Sequence, residues 1–545
     1  MNSPVTEFDY VIVGAGPAGC VLANRLSAHS GTTVCLLEAG PNDRNIMLQV
    51  PAGVYSASSS SRFAWQFATE PSEGTAGRSI PMPQGMTLGG STAINGMNYN
   101  RGAREDFDEW SHSGNSGWSY ADVLPYFKRT ERRIGPGDAR YRGFTGSLPI
   151  TDSDWRHPVC DAFIRAAESL GVPRNPDYNG ASQAGVGYYQ RYIERGWRIS
   201  AASAFLRPAR TRKNLEVWTN SRAVSIVLDG RRAVGVRFVR GREAITHDVR
   251  ARREIILAAG AANTPKVLQL SGIGGYEELA SIGIPVLHHL PGVGKNLQDH
   301  YMIHLVVAIK GSQGISGHGL SLVREMAKWA LGMPSILAIS PSLVYGFINT
   351  AEMGQRPDLQ IDVALGNYSR LGNDRVPVLK AGLYQLRPES RGYVRARSAD
   401  PSEPPVIQPN YLLAENDRRA AVRGIRAVRK ILRAEPFERF YEFEELPGDA
   451  VTTEEECLAF AREEGLTAYH LCGSCQMGSR PENGAVVDEK LRVHGLEGLR
   501  IADASIMPSV PSANTSAAVF MIGEKAADAL AEPQRVPEIR LALAV

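Results

Sequence analysis

One glycine pattern constrains this chain more than any other feature. Asp9-Tyr10-Val11-Ile12-Val13 is a short apolar run, followed by Gly14-Ala15-Gly16-Pro17-Ala18-Gly19 and then by Cys20 to Leu26 at helical spacing. A second apolar run, Thr33 to Leu37, delivers Glu38-Ala39 about twenty positions beyond the last of these glycines. The expectation is strand, tight turn, helix, strand: a βαβ unit that binds a dinucleotide. Gly14 permits the turn, Gly16 beside Ala15 lets a pyrophosphate reach the backbone, and Gly19 lets helix pack on strand. The helix N-terminus supplies N–H groups and the positive end of its dipole. Glu38 is placed to hydrogen-bond a ribose hydroxyl pair.

Composition narrows the rest. With 545 residues, 43% hydrophobic and 21% charged, the chain is neither a disordered tail nor a fibrous repeat, and its length suits two to four structural units. A net charge of +3 gives no electrostatic argument for nucleic acid. Six Cys in a chain this long do not form a disulfide framework, so a reducing, cytoplasmic location is expected. The first apolar run already belongs to the glycine motif, so no cleavable leader is expected there. The uncharged stretch Trp329 to Thr350 is broken by Pro334 and Pro341, which favours a buried or cavity-lining segment over a membrane span.

Two longer segments carry a resemblance. Pro83-Gln84-Gly85-Met86-Thr87-Leu88-Gly89-Gly90-Ser91-Thr92-Ala93-Ile94-Asn95-Gly96-Met97 resembles the first signature of the glucose-methanol-choline (GMC) oxidoreductases, and Gly260-Ala261-Ala262-Asn263-Thr264-Pro265 through Gly274 resembles the second. Asp106-Phe107-Asp108-Glu109-Trp110, Asn296-Leu297-Gln298-Asp299-His300 and a block from His470 to Leu530 extend the likeness over nearly the whole chain. The resemblance implies an α/β fold: a Rossmann-like FAD-binding domain interleaved with an α+β substrate domain built on an antiparallel sheet. It implies FAD as cofactor, a small-molecule alcohol as substrate, and O2 or another electron acceptor. Ile94 stands where some relatives attach FAD covalently through His, so non-covalent FAD is expected. The chain departs from the family at Met86 and Gln476, where basic residues are common.

The resemblance also implies site residues. Gly89, Gly90, Asn95, Gly96 and Met97 would line the cofactor with Trp65; Ala223 matches a position whose backbone meets adenine; Asp503 and Ala504 would lie near the ribityl and pyrophosphate region. Asn514 and Thr515 would open a helix whose dipole faces the flavin. His470 matches the active-site His and Asn514 its partner. An alcohol releases hydride only as its hydroxyl gives up a proton, so His470 is expected to take that proton while Asn514 holds the oxygen. His300 reads as structural. Cys472-Gly473-Ser474-Cys475 reads as a packed pair, and no metal site is expected.

The FAD-domain motifs fall at 1–155, 215–300 and 468–545, which leaves 156–214 and 301–467 for the substrate domain; residues after Leu530, with Pro533 and Pro537, read as a loosely attached tail. Alternation in Asp358 to Ala364 suggests an antiparallel strand, and an apolar stripe predicts a helix over Asp417 to Leu432. The favoured substrate is a primary, aromatic or otherwise apolar alcohol. The alternatives are choline-like oxidation of a polar alcohol and a hydroxynitrile lyase on the same fold. The sequence leaves the oligomeric state open.

Overall fold

The computed structural model describes residues 6–241, 245–311, 319–351, 356–366 and 377–531, so the expected tail lies outside the described residues. Strand β1 (Thr6–Val13), helix α1 (Pro17–Leu26) and β2 (Val34–Leu37) form the expected βαβ unit. β1 is central in a parallel core. On one side lie β2 and then Leu215–Trp218; on the other lies β3 (Thr246–Leu257), which pairs in parallel with Leu499–Ile501. Val11, Ile12, Val34, Leu36, Ile255 and Ile256 are fully buried, as strands covered on both faces must be. The hairpin of Ser221–Asp229 and Arg232–Arg240 adds an antiparallel extension to the first half of β3. Helix α2 (Gly260–Leu270) follows β3 after two residues.

A second sheet is antiparallel throughout. Its central strands run β4 (Tyr301–Ile309), β7 (Val378–Gln385), β6 (Leu359–Gly366) and β5 (Val344–Ile348), with Tyr441–Leu446 and Gly185–Tyr188 at the edges. Successive side chains point to opposite faces. Ile303, Leu305, Leu359, Ile361 and Leu383 pack with Ile425, Val428, Ile431 and Leu432 of α3 (Glu415–Leu432). Each fully buried aliphatic side chain is worth about 1.5–3 kcal/mol, enough to hold a helix whose outer face is rich in Arg. The opposite face carries Met302, His304, Tyr345, Phe347, Gln360, Asp362 and Tyr384 and looks toward the first sheet's loops. Within Trp329 to Thr350, Tyr345 and Phe347 are packed core in β5, while Trp329 lies against Trp197 at 4.5 Å.

The chain then returns to the first sheet through Leu499–Ile501 and closes with α4 (Ser516–Ala531), tied to α1 by Arg25 on Glu524 at 2.6 Å. Among the described residues no helix is long and apolar enough to cross a membrane.

Candidate active site

The loops above the first sheet form one cradle. Gly90 has φ +53°, and a Cβ there would lie 2.7 Å from the Gly16 Cα, so the two glycine loops touch. The Gly89 N–H donates to the Ala15 carbonyl at 2.8 Å. No side chain caps the start of α1, whose N-cap is Gly16. An uncapped N-terminus beside a bare glycine loop suits a pyrophosphate, because the first-turn N–H groups lack intrahelical acceptors. Glu38 accepts from the Ala15 and Gly40 N–H groups, each at 2.9 Å, and burial pushes its carboxyl up to about 7. Each of its oxygens keeps a lone pair for a ribose. Ser221 N–H donates to the Glu38 carbonyl at 2.8 Å, which brings the strand bearing Ala223 beside this corner. Asp503 receives Gly260 N–H at 2.9 Å and the Thr264 hydroxyl at 2.6 Å, joining α2 to the end of Leu499–Ile501 just before Ala504. These residues fit a bound dinucleotide such as FAD.

The Asn95 amide meets the Tyr192 hydroxyl, which also bonds Ser516 at the start of α4, next to Thr515. Gly96 and Met97 follow, Met97 buried with φ +62°. Trp65 stands apart from these contacts: on the strand Ala64–Ala68 it stacks on Phe67 at 5.8 Å. Ile94 is buried among Leu48, Phe63 and Ala93. Cys472 and Cys475 are buried free thiols.

His470 and Asn514 come from segments far apart in sequence and meet at 2.8 Å, Asn514 Nδ2 to His470 Nε2. The His470 segment runs beside Gln298–His300, with backbone bonds Ala468 N–H to His300 O and Cys472 N–H to Gln298 O, both 2.9 Å. Tyr469 adopts φ +64°, a strained backbone for a bulky residue. Asp299 holds that bend: it accepts from His470 N–H at 2.6 Å and from the Tyr411 and Thr467 hydroxyls at 2.5 Å. On the other side, Asp106 accepts from the Ser512 N–H at 2.7 Å and the Ser512 hydroxyl at 2.8 Å, and Asn100 Oδ1 accepts from Asn514 N–H at 3.1 Å.

Hydrogen bonding assigns the proton positions from both ends. His300 Nε2 lies 3.0 Å from the Leu386 carbonyl, which only accepts, so His300 carries its proton there and Nδ1 is an acceptor. His470 Nδ1, 2.9 Å away, must then be the donor. From the opposite end, the Asp362 carboxylate accepts from Gln360 Nε2 at 3.3 Å, and the same nitrogen reaches Asn514 Oδ1 at 3.5 Å. That leaves the Asn514 amide nitrogen facing His470. Both arguments leave His470 Nε2 unprotonated and accepting from the Asn514 amide N–H. Burial, reinforced by the neighbouring His300, holds His470 well below the usual histidine range, and burial pushes His300 down to about 4. A lowered pKa means a neutral, proton-accepting His470 at pH 7. The acid limb of kcat/KM should therefore lie below the ordinary histidine value near 6.5, with a plateau from there to about pH 8.

His300, which the sequence marks as structural, is placed to orient the His470 ring. His300→Leu should slow the reductive half-reaction by about tenfold to a hundredfold, since His470 loses the acceptor that orients its ring. FAD content should stay unchanged, which mere loosening of the core around the cofactor would not allow. Stopped-flow rates and flavin-to-protein absorbance ratios measure both.

Sequence reasoning quoted Asp106 and Asp299 within motifs, and Gln360 and Asp362 within an alternating strand, but gave them no task; it passed over Asn100 and Tyr189. The available signal was in β6, where Gln360 and Asp362 share one face two residues apart among Leu359, Ile361 and Val363. Paired polar residues on one side of an otherwise apolar strand mark a face that meets something other than core.

The chain matches known proteins over nearly its whole length. GMC oxidoreductase models match residues 8–302 and 388–523. An alcohol dehydrogenase [acceptor] of Pseudomonas putida is 38% identical over 96% of this chain and 95% of its own length. An oxygen-dependent choline dehydrogenase of Brucella suis is 39% identical over the same shares of each chain. Among solved structures, pyridoxine 4-oxidase from Mesorbium loti superposes with a TM-score of 0.87 at 31% identity, covering 96% of this chain and 98% of that one. Formate oxidase of Aspergillus oryzae gives a TM-score of 0.90 at 25% identity, covering 97% and 99%. The chain belongs to the GMC oxidoreductase family, FAD-dependent enzymes acting on CH–OH groups.

Proposed function

We infer that the protein oxidises a primary alcohol with an aromatic or otherwise apolar body to its aldehyde. The observation that carries this reading is the unprotonated Nε2 of His470, which accepts from the Asn514 amide at 2.8 Å. An alcohol oxygen that displaces this contact gives its proton to Nε2 and accepts from Asn514 Nδ2, so that proton removal and hydrogen bonding act on one oxygen. Bound FAD supplies the acceptor for the hydride that leaves the carbinol carbon. His300 keeps His470 in the productive tautomer, and burial keeps both imidazoles uncharged. The apolar body is supported by the Tyr384 ring, 5.7 Å from the His470 ring, and by Pro341, which lies beside Gly96. A reducing, cytoplasmic setting is supported by six cysteines that are all buried free thiols.

Purified protein should be yellow and lose its flavin absorbance anaerobically when a substrate alcohol is added; admitting air then distinguishes oxidase from dehydrogenase. Acid precipitation should release the flavin into the supernatant, as expected for non-covalent FAD with Ile94 at the position used for attachment. Cyanide release from a cyanohydrin without flavin bleaching would instead support the lyase alternative.

A further inference from the structure

The helix Gly319–Ala330 turns its apolar side outward. Leu320, Val323, Met326, Ala327 and Ala330 recur at helical spacing on one face, and Leu331 and Met333 follow just beyond its end. The large side chains of this set, Leu320, Val323, Met326, Leu331 and Met333, are 52–88% exposed. The inward side is polar instead. Glu325, the buried residue of the helix, accepts from the Ile336 N–H at 3.0 Å and pairs with Lys328, while its carbonyl accepts from the Ser335 hydroxyl at 2.9 Å. Trp329 donates its indole N–H to the Gly196 carbonyl at 2.9 Å. A surface helix ordinarily packs its apolar stripe on the core and shows water its charges. This one is moored by polar bonds and shows water the stripe. Neighbouring elements continue the patch: Trp197 lies against Trp329, and the short helix Ile46–Gln49, packed beside Trp197–Arg198, exposes Ile46 and Met47.

We propose that this face docks on a membrane surface carrying anionic lipid, with the helix Gly319–Ala330 lying flat in the headgroup layer. Charge selects this occupant. Arg324 on the helix and Arg44 beside Ile46 are exposed, whereas Glu325, the only acidic residue from Tyr301 to Thr350, faces inward. Asp152 and Asp154 share a cleft with Trp329 and Met333 but are bonded to Arg133 and Arg191. An amphipathic helix holds a lipid surface through the apolar area it buries and the attraction of its basic residues to anionic headgroups. Indoles such as those of Trp197 and Trp329 suit the same depth, where one end is apolar and the other wet. A second copy of the chain is the competing occupant. A two-fold dimer through this face would bring two sets of Arg44 and Arg324 together, and the helix offers no exposed carboxylate to meet them. The docked face is also tied to the candidate active site: beyond Ile336 the chain reaches Ser340, whose hydroxyl donates to the Gly96 carbonyl at 2.6 Å, and Pro341 beside Gly96.

Flotation of the purified holoenzyme with lipid vesicles tests this. The protein should rise with vesicles of phosphatidylcholine containing about 30% phosphatidylglycerol and bind phosphatidylcholine alone at least about tenfold more weakly. Leu320→Glu and Val323→Glu should each weaken binding to the anionic vesicles by at least about tenfold, since each sets a carboxylate in the apolar face. Arg324→Gln should weaken it about fivefold, the worth of one basic residue near such a surface. These side chains are exposed, so the flavin-to-protein absorbance ratio should match wild type. Leu331→Glu, beyond the helix end, repeats the test where a helix variant does not fold. A wild-type protein that fails to float with anionic vesicles, equal binding to neutral and anionic vesicles, or binding indifferent to all four substitutions would overturn the proposal. So would a wild-type dimer in analytical ultracentrifugation that Leu320→Glu or Val323→Glu converts to monomer, because a second copy would then be what covers the face.

Discussion

His470→Ala should leave a folded, yellow protein whose anaerobic reduction by substrate is slower by about 10²–10⁴-fold, the usual contribution of a positioned general base. The residue's structural contacts make the two outcomes separable. Asp299 grips the backbone N–H of His470 rather than its ring, so the bend at Tyr469 survives truncation. What disappears is the Nε2 lone pair and the Nδ1 donor to His300. The loss should therefore appear in the reduction rate measured by stopped flow, with FAD content unchanged. Reduction at near wild-type rate would remove His470 from the mechanism.

Gly19→Ala should give a protein that is insoluble or binds at least about tenfold less FAD. A Cβ at this position would lie 1.9 Å from the Gly14 carbonyl oxygen and 3.1 Å from its carbon. Those atoms are backbone, so no rotamer change relieves the clash. Helix α1 would have to retreat from the turn that follows β1, dragging with it the N–H groups offered to the pyrophosphate. Overpacking of a well-filled site costs typically 1–3 kcal/mol, and here the strain falls on the cofactor loop itself. Gly31→Ala is the control: nothing lies within 4 Å of its added Cβ, so stability should stay within about 0.5 kcal/mol and flavin content should match wild type. Flavin-to-protein absorbance ratios compare the three proteins.

Both expectations began as sequence patterns, but they were legible to different depths. The βαβ unit was readable outright because each component is local: apolar strand, glycines, helix and acidic terminus lie within Asp9 to Glu38. α3 was nearly so, starting at Glu415 rather than at the expected Asp417, because a periodic stripe marks its face more clearly than its first turn. The segment Trp329 to Thr350 was legible only as apolar. Whether it lined a cavity depended on partners distant in sequence, and Tyr345 and Phe347 turn out to be packed under Tyr178 and Tyr189.

His470 and Asn514 were found through motif resemblance, yet nothing in either motif states that the amide faces Nε2 or that Nδ1 is protonated. Those facts come from His300, Leu386, Gln360 and Asp362, which reach the site from the residue before β4, from β6 and from the chain just after β7.

By itself the sequence determined the parts governed by local stereochemistry: where backbone must turn without a side chain, which stretches alternate or spiral, and which residue types suit a cofactor and a base. The tertiary structure alone decided which nitrogen of His470 is unprotonated and why its pKa is depressed. The physical reason is that protonation and desolvation depend on what surrounds a group in three dimensions. At this site those surroundings are assembled from segments more than a hundred residues apart.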